Sequence, residues 1–137
     1  MARDPAHTET LRPGLVGHAN ARVTDDLTAP VVGSGTVAVL ATPALIVIME
    51  KAALDCAERR LAPGEASLGV YLDVSHTAPT PPGDTVSATA TLTEVDGRKL
   101  TFEIEARDGA GPVGKAVHTR IVVDVARFMR KLAARTP

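Results

Sequence analysis

From Thr42 to about Leu61 the chain reads as one helix, and its first half is apolar on every face. Thr42 and Pro43 make a helix start, a hydroxyl N-cap followed by proline at the first helical position. Ala44, Leu45, Ile46, Val47, Ile48 and Met49 come next, with no polar residue among them. A helix without a polar stripe has to be enclosed by the rest of the fold. Its second half, with Glu58, Arg59 and Arg60, emerges into water, and Pro63 and Gly64 end it.

The chain beyond Gly64 is suited to enclosing this helix. Ser67 to Thr77, Thr85 to Val95, Lys99 to Arg107 and Val113 to Asp124 alternate apolar and polar residues, as half-buried strands do. The stretches Thr80 to Gly83, Asp96-Gly97 and Asp108 to Gly111 supply turns between them. Ahead of the helix, Leu15 to Leu27 reads as a first strand, Ala29 to Thr36 as a loop, and Val37 to Leu40 as a short apolar stretch. Phe128, Met129 and Leu132 repeat at helical spacing, so Val125 to Arg135 reads as a short last helix. Residues 1–13 are a polar, flexible lead-in and 14–137 a single domain. One enclosed helix against one antiparallel sheet is an α+β arrangement. A sheet wrapped around a single apolar helix is the hotdog fold.

Composition excludes several functions. Net charge is −1, with 15 basic and 16 acidic residues, so no strong field favours nucleic acid or an anionic membrane. Aromatic residues are 2% of the chain, too few to stack bases. The apolar run from Ala44 to Met49 is far too short for a bilayer, and the first residues lack the apolar core of a signal peptide. A cytoplasmic protein is expected. The lone cysteine, Cys56, excludes an internal disulfide and a cysteine-based zinc site, and reads as a small hydrophobe within the helix. The four histidines lack ligand spacing, so no metal site is expected.

Two polar residues sit in apolar surroundings. Glu50 closes the apolar half of the helix. His76 ends the run Leu68 to His76, where alternation puts Leu68, Val70, Leu72, Val74 and His76 on one core-facing side and Gly69 on the other. A buried carboxylate in a cleft points to chemistry, and imidazole suits proton transfer near neutral pH. The plain alternative for His76 is a core-edge side chain satisfied by a carbonyl. Thr42 heads the helix, whose free N–H groups attract negative charge. Eight residues separate Thr42 from Glu50, or ~12 Å of helix axis. One small substrate group cannot easily touch both in one chain. Two helices antiparallel about a two-fold would bring them together, so a homodimer with interfacial sites is expected. Gly69 has no side chain and lets a ligand or backbone approach. Alternation places His118 and Arg120 together, with surface solvation their default, although Arg120 is suited to a carboxylate or phosphate.

Several blocks together resemble the fluoroacetyl-CoA thioesterase family: Ala41 to Pro43, Met49 to Ala52, Pro63 to Gly69, Val74 to Ala78, Thr80 to Gly83, Gly97-Arg98, Asp108-Gly109 and His118 to Arg120. The resemblance spans about Gly14 to Phe128. It implies a hotdog dimer that hydrolyses acyl-CoA thioesters with a Thr, Glu and His triad, here Thr42, Glu50 and His76. It also implies that Gly69 lends backbone to the site, that Arg120 lies close by, and that no cofactor is needed because CoA enters with the substrate. The fluoroacetyl-specific member carries phenylalanines in a lid before its threonine. Val31 to Thr36 has none, so hydrolysis of short-chain acyl-CoA is expected rather than fluoroacetyl specificity. Two other functions fit such a fold. An enoyl-CoA hydratase would want a histidine about five residues after an aspartate, which Asp25 and Asp26 lack. A non-catalytic acyl-CoA binder would keep the fold without turnover.

Overall fold

The computed structural model describes residues 11–135. Most of the expected lead-in, with His7, lies outside the described residues. Leu11, near its end, is already buried in the core.

Five strands form one antiparallel sheet in the order β1-β3-β4-β5-β2. They are β1 Val16–Arg22, β2 Glu65–His76, β3 Thr85–Asp96, β4 Lys99–Asp108 and β5 Gly111–Asp124. The central helix runs Thr42–Ala57 and the C-terminal helix Val125–Arg135. The sheet and its enclosed helix make the α+β hotdog architecture read from the sequence. Three boundaries differ. The first strand, expected to reach Leu27, ends at Arg22, and Asp25–Leu27 forms a 3₁₀ turn. A 3₁₀ turn, Glu58–Arg60, replaces the expected last turn of the central helix, and a four-residue helix, Ala29–Val32, forms where a loop was expected. Thr28, Ala29 and Pro30 start that short helix, and Gly33, at φ +96°, stops it.

The helix buries Ala44, Leu45, Ile48, Met49, Ala52, Ala53, Cys56 and Ala57 and packs against β1 and β3 and, less extensively, β4. Each fully buried Leu, Ile, Met or Phe contributes ~1.5–3 kcal/mol, so this face fixes where the helix lies. Cys56 is fully buried, as expected for a small hydrophobe. At Gly17 the strand passes so close that an added Cβ would stand 2.3 Å from the Ala52 carbonyl oxygen and 2.4 Å from the Cys56 nitrogen.

The helix, expected to be largely enclosed, is covered by this sheet on one side and open on the other. Val47 of the helix is 49% exposed, and Val70 and Tyr71 of β2 are 58% and 56% exposed. A single five-stranded sheet covers one face of a helix and leaves the other open.

β2 also departs from strict alternation. Gly69 pairs with Arg120 and Tyr71 with Thr119, so Val70 is an extra, bulged residue. The bulge switches the inward parity. Ser67 and Gly69 point inward before it, and Leu72, Val74 and His76 after it. The shared face expected for Leu68, Val70 and His76 is therefore corrected: Leu68 and Val70 are exposed. Gly69 likewise lies on the same side of the sheet as His76, because one extra residue inverts the pleat.

Candidate active site

The named residues fall into two clusters at different points along the central helix. The first joins the helix start to the end of β2. The helix cap is Ala41, without a side-chain cap bond. Thr42 is thus not the N-cap expected from the sequence, and its hydroxyl is free to reach outward. It lies 2.8 Å from Nδ1 of His76. The Nε2 of His76 is buried with no hydrogen-bond partner. Burial lowers the His76 pKa, opposed by the Ala78 carbonyl, so the ring is neutral at pH 7. Beside this pair is a cavity of about 330 Å³, whose wall includes Ala29, Gly35, Val37, Val39, Leu40 and Pro79.

The second cluster forms eight residues further along the helix. Glu50 faces β2 and β5 with its side chain 38% exposed. Its Oε2 accepts a hydrogen bond from Nη1 of Arg120 at 3.2 Å. Arg120 is 5% exposed, contrary to the surface position expected for it. A buried guanidinium needs partners for its donors, and Ser67 takes two of them. Its hydroxyl accepts from Nε at 2.7 Å and its carbonyl from Nη2 at 2.9 Å. His118, also expected at the surface, is 2% exposed.

The protonation of His118 follows from its neighbours. Arginine only donates, so the 3.1 Å contact from Arg120 Nη1 makes Nε2 of His118 an acceptor. Nδ1 then carries the proton and donates to the Tyr71 carbonyl at 2.8 Å. Burial, and then Arg120, hold the His118 pKa below its ordinary value against the Tyr71 carbonyl and Glu50. The 3.7 Å approach of His118 Nε2 to Glu50 Oε2 is therefore not an ion pair. Gly69 leaves room for all three: a Cβ there would meet Glu50 Oε2 at 2.9 Å, His118 Cε1 at 3.1 Å and Arg120 Nη1 at 3.4 Å.

The structure thus brings Thr42 to His76, and Glu50 to Gly69 and Arg120, but leaves the two sets in separate cavities of one chain. Among the described residues no His, Cys, Asp and Glu cluster is arranged to hold a metal ion, and no helix is long and apolar enough to cross a membrane.

These positions can be set beside known proteins. A family model, FlK, described as fluoroacetyl-CoA-specific thioesterase, matches residues 23–126. The fluoroacetyl-CoA thioesterase of Streptantibioticus cattleyicolor is 41% identical over 99 residues, 72% of this chain and 71% of that protein. The chain belongs to the fluoroacetyl-CoA-specific thioesterase family. A threonine-to-serine variant of the family's FlK enzyme, solved in complex with acetyl-CoA, superposes with a TM-score of 0.86 at 33% identity, covering 93% of this chain and 100% of that one. A hot-dog-like protein from Thermanaerovibrio acidaminovorans gives a TM-score of 0.87 at 25% identity, covering 95% and 96%.

Within this family member, sequence reasoning missed Ser67 and the buried state of His118. Ser67 lies inward because the bulge at Val70 changes the parity of β2, and His118 because it shares the inner face of β5 with Ala116 and Val122. The signal that was available is the pair His118 and Arg120 on one strand face, next to the apolar Ala116 and Val122 of the same face.

Proposed function

We propose that this chain is an acyl-CoA thioesterase, acting as a homodimer in which Thr42 and His76 of one protomer complete a site with Glu50, Gly69 and Arg120 of the other. The observation that carries the dimeric reading is the separation of the two clusters along one helix. The exposed apolar residues Val70 and Tyr71 of the edge strand β2 support it, since a two-fold contact there would cover them. The family's acyl-CoA chemistry and the acetyl-CoA bound by the FlK variant support the substrate class. Acyl-CoA as substrate and a free thiol at Cys56 fit a cytoplasmic setting.

In the proposed reaction water adds across the thioester, giving a carboxylic acid and the free CoA thiol. Arg120 anchors Oε2 of Glu50 and leaves Oε1 to start the attack, either on the carbonyl itself or by taking a proton from water. The Thr42 hydroxyl, held by His76, donates to the oxyanion that forms. Neutral His76 is ready to receive a proton. The reaction needs no metal and no organic cofactor.

The test mixes two disabled variants. Thr42→Ala and Glu50→Gln each fail alone in release of thiol from acetyl-CoA and propionyl-CoA. Subunit exchange between them regenerates one intact site in half of the dimers, so about a quarter of wild-type turnover returns. No recovery after verified exchange would place each site within one chain. Binding of acyl-CoA with no thiol release by the unaltered protein would make it a binder and sink the enzyme reading.

A further inference from the structure

A different cavity, of about 270 Å³, lies between the end of β5 and the C-terminal helix. Val122, Val123 and Phe128 give it an apolar wall, and Arg98, Arg127 and Lys131 a cationic one, with Asp124 also at its edge. The carboxylates nearby are already engaged. Asp124 caps the helix by accepting from the Arg127 backbone N–H at 3.0 Å. Glu65 accepts from the Ala62 N–H at 3.0 Å and from Arg98 at 3.2 Å. The side chains of Arg127 and Lys131 form no ion pair with a described residue. They stand four residues apart, on one side of the helix. The helix itself carries Arg127, Arg130, Lys131 and Arg135 and no acidic residue, in a chain of net charge −1.

Position decides what such a cavity is for. Arg120, Val122 and Asp124 alternate onto one face of β5. The cavity is therefore four residues from the Glu50–Arg120 cluster, or ~13 Å along the strand. The pantetheine arm of coenzyme A has about as many backbone bonds as four residues and extends to ~14 Å. Its far end carries an adenine ring, a pyrophosphate and a ribose phosphate. An apolar wall with one aromatic ring, rimmed by cations, matches that chemistry.

We propose that this cavity binds the phosphorylated adenosine end of the acyl-CoA substrate, with Phe128 against the base and Arg98, Arg127 and Lys131 on the phosphates. The proposal rests on the acyl-CoA reading of the site, and its test separates the two. The same acyl group is offered as the CoA thioester and as the pantetheine thioester, which lacks the phosphoadenosine. The double variant Arg127→Ala, Lys131→Ala should raise KM for acyl-CoA roughly tenfold, as two exposed charge contacts allow, and leave KM for the pantetheine thioester in place. Adenosine 3′,5′-bisphosphate should inhibit the unaltered enzyme competitively and the variant far less.

Equal KM values for variant and unaltered enzyme on acyl-CoA would overturn the cavity assignment and leave the thioesterase reading standing. Failure of the unaltered protein to hydrolyse either thioester would instead strike the reading on which the proposal rests. Capture of the protein by anionic phospholipid vesicles through this helix, with KM unmoved by the double variant, would also overturn it.

Discussion

The Thr42 hydroxyl and Nδ1 of His76 stand 2.8 Å apart across 34 residues of sequence. The contact exists because Ala41, not Thr42, takes the cap position, and because the β2 bulge aims His76 at the helix start. If the two act as one unit on the oxyanion, their losses will not multiply. Thr42→Ala should lower kcat by about 10²–10³, the usual cost of one oxyanion donor, while Thr42→Ser keeps most of it. The double variant Thr42→Ala, His76→Ala should be no slower than the slower single variant. Fully multiplicative losses in the thiol-release assay would show two independent roles.

Two glycines on facing sides of the helix should fail in opposite ways. At Gly69 an alanine methyl first meets the end of a flexible side chain, Glu50 Oε2 at 2.9 Å. The fold can yield there, but only by displacing the carboxylate, so Gly69→Ala should unfold near the unaltered temperature with turnover cut by at least about tenfold. At Gly17 the obstacles are backbone atoms of Ala52 and Cys56 at 2.3 and 2.4 Å, which cannot swing aside. Gly17→Ala should therefore lower Tm sharply or prevent folding. Calorimetry with kinetics on both variants separates the cases, and an active, stable Gly17→Ala protein would refute the argument.

The elements legible in the sequence were those set by periodicity and turns. The strands from Ser67, Thr85, Lys99 and Val113, and the C-terminal helix from Val125, lie within a few residues of their expected ends. The α+β hotdog class followed from one apolar helix and those strands. What alternation could not supply was the bulge at Val70. Without it the pattern put Leu68 and Val70 in the core and Gly69 on the wrong face. It also left His118 and Arg120 as surface residues, since burying a guanidinium is legible only when its partners, Ser67 and Glu50, are known. The helix start was misread by one residue because Thr42-Pro43 fits the hydroxyl-cap rule, whereas the cap in the fold is Ala41, which has no side-chain cap bond.

The cavity beside Thr42 bears on acyl preference. It is about 330 Å³, and apart from His76 its walls are small, hydroxyl-bearing or aliphatic, with no Phe, Tyr or Trp among them. Each methylene placed in such a pocket is worth ~1–3 kcal/mol of discrimination, and a two-carbon acyl group uses little of the space. The kcat/KM should therefore rise from acetyl-CoA to butyryl-CoA, with fluoroacetyl-CoA within about tenfold of acetyl-CoA. A strong fluoroacetyl preference in this panel would show that selection occurs outside this cavity.

The two neutral histidines fix how stability depends on pH. Burial lowers the pKa of His118 and of His76 in the folded chain, whereas in the unfolded chain each titrates near 6.5. Below that value the unfolded state takes up protons that the folded state refuses. Stability therefore rises with pH through this window, is fully present above about pH 7, and is lost as the pH falls toward the folded values. Asp108 and Asp124, whose pKa values are lowered by hydrogen bonds from Thr80 and from the Arg127 backbone, act only in the more acid carboxylate range. The Tm should accordingly drop between pH 7.5 and pH 5.5, and His118→Gln, which removes one of the two groups, should reduce that drop. An unaltered Tm across the interval, or an equal drop in His118→Gln, would show that His118 is not held neutral by its burial against Arg120.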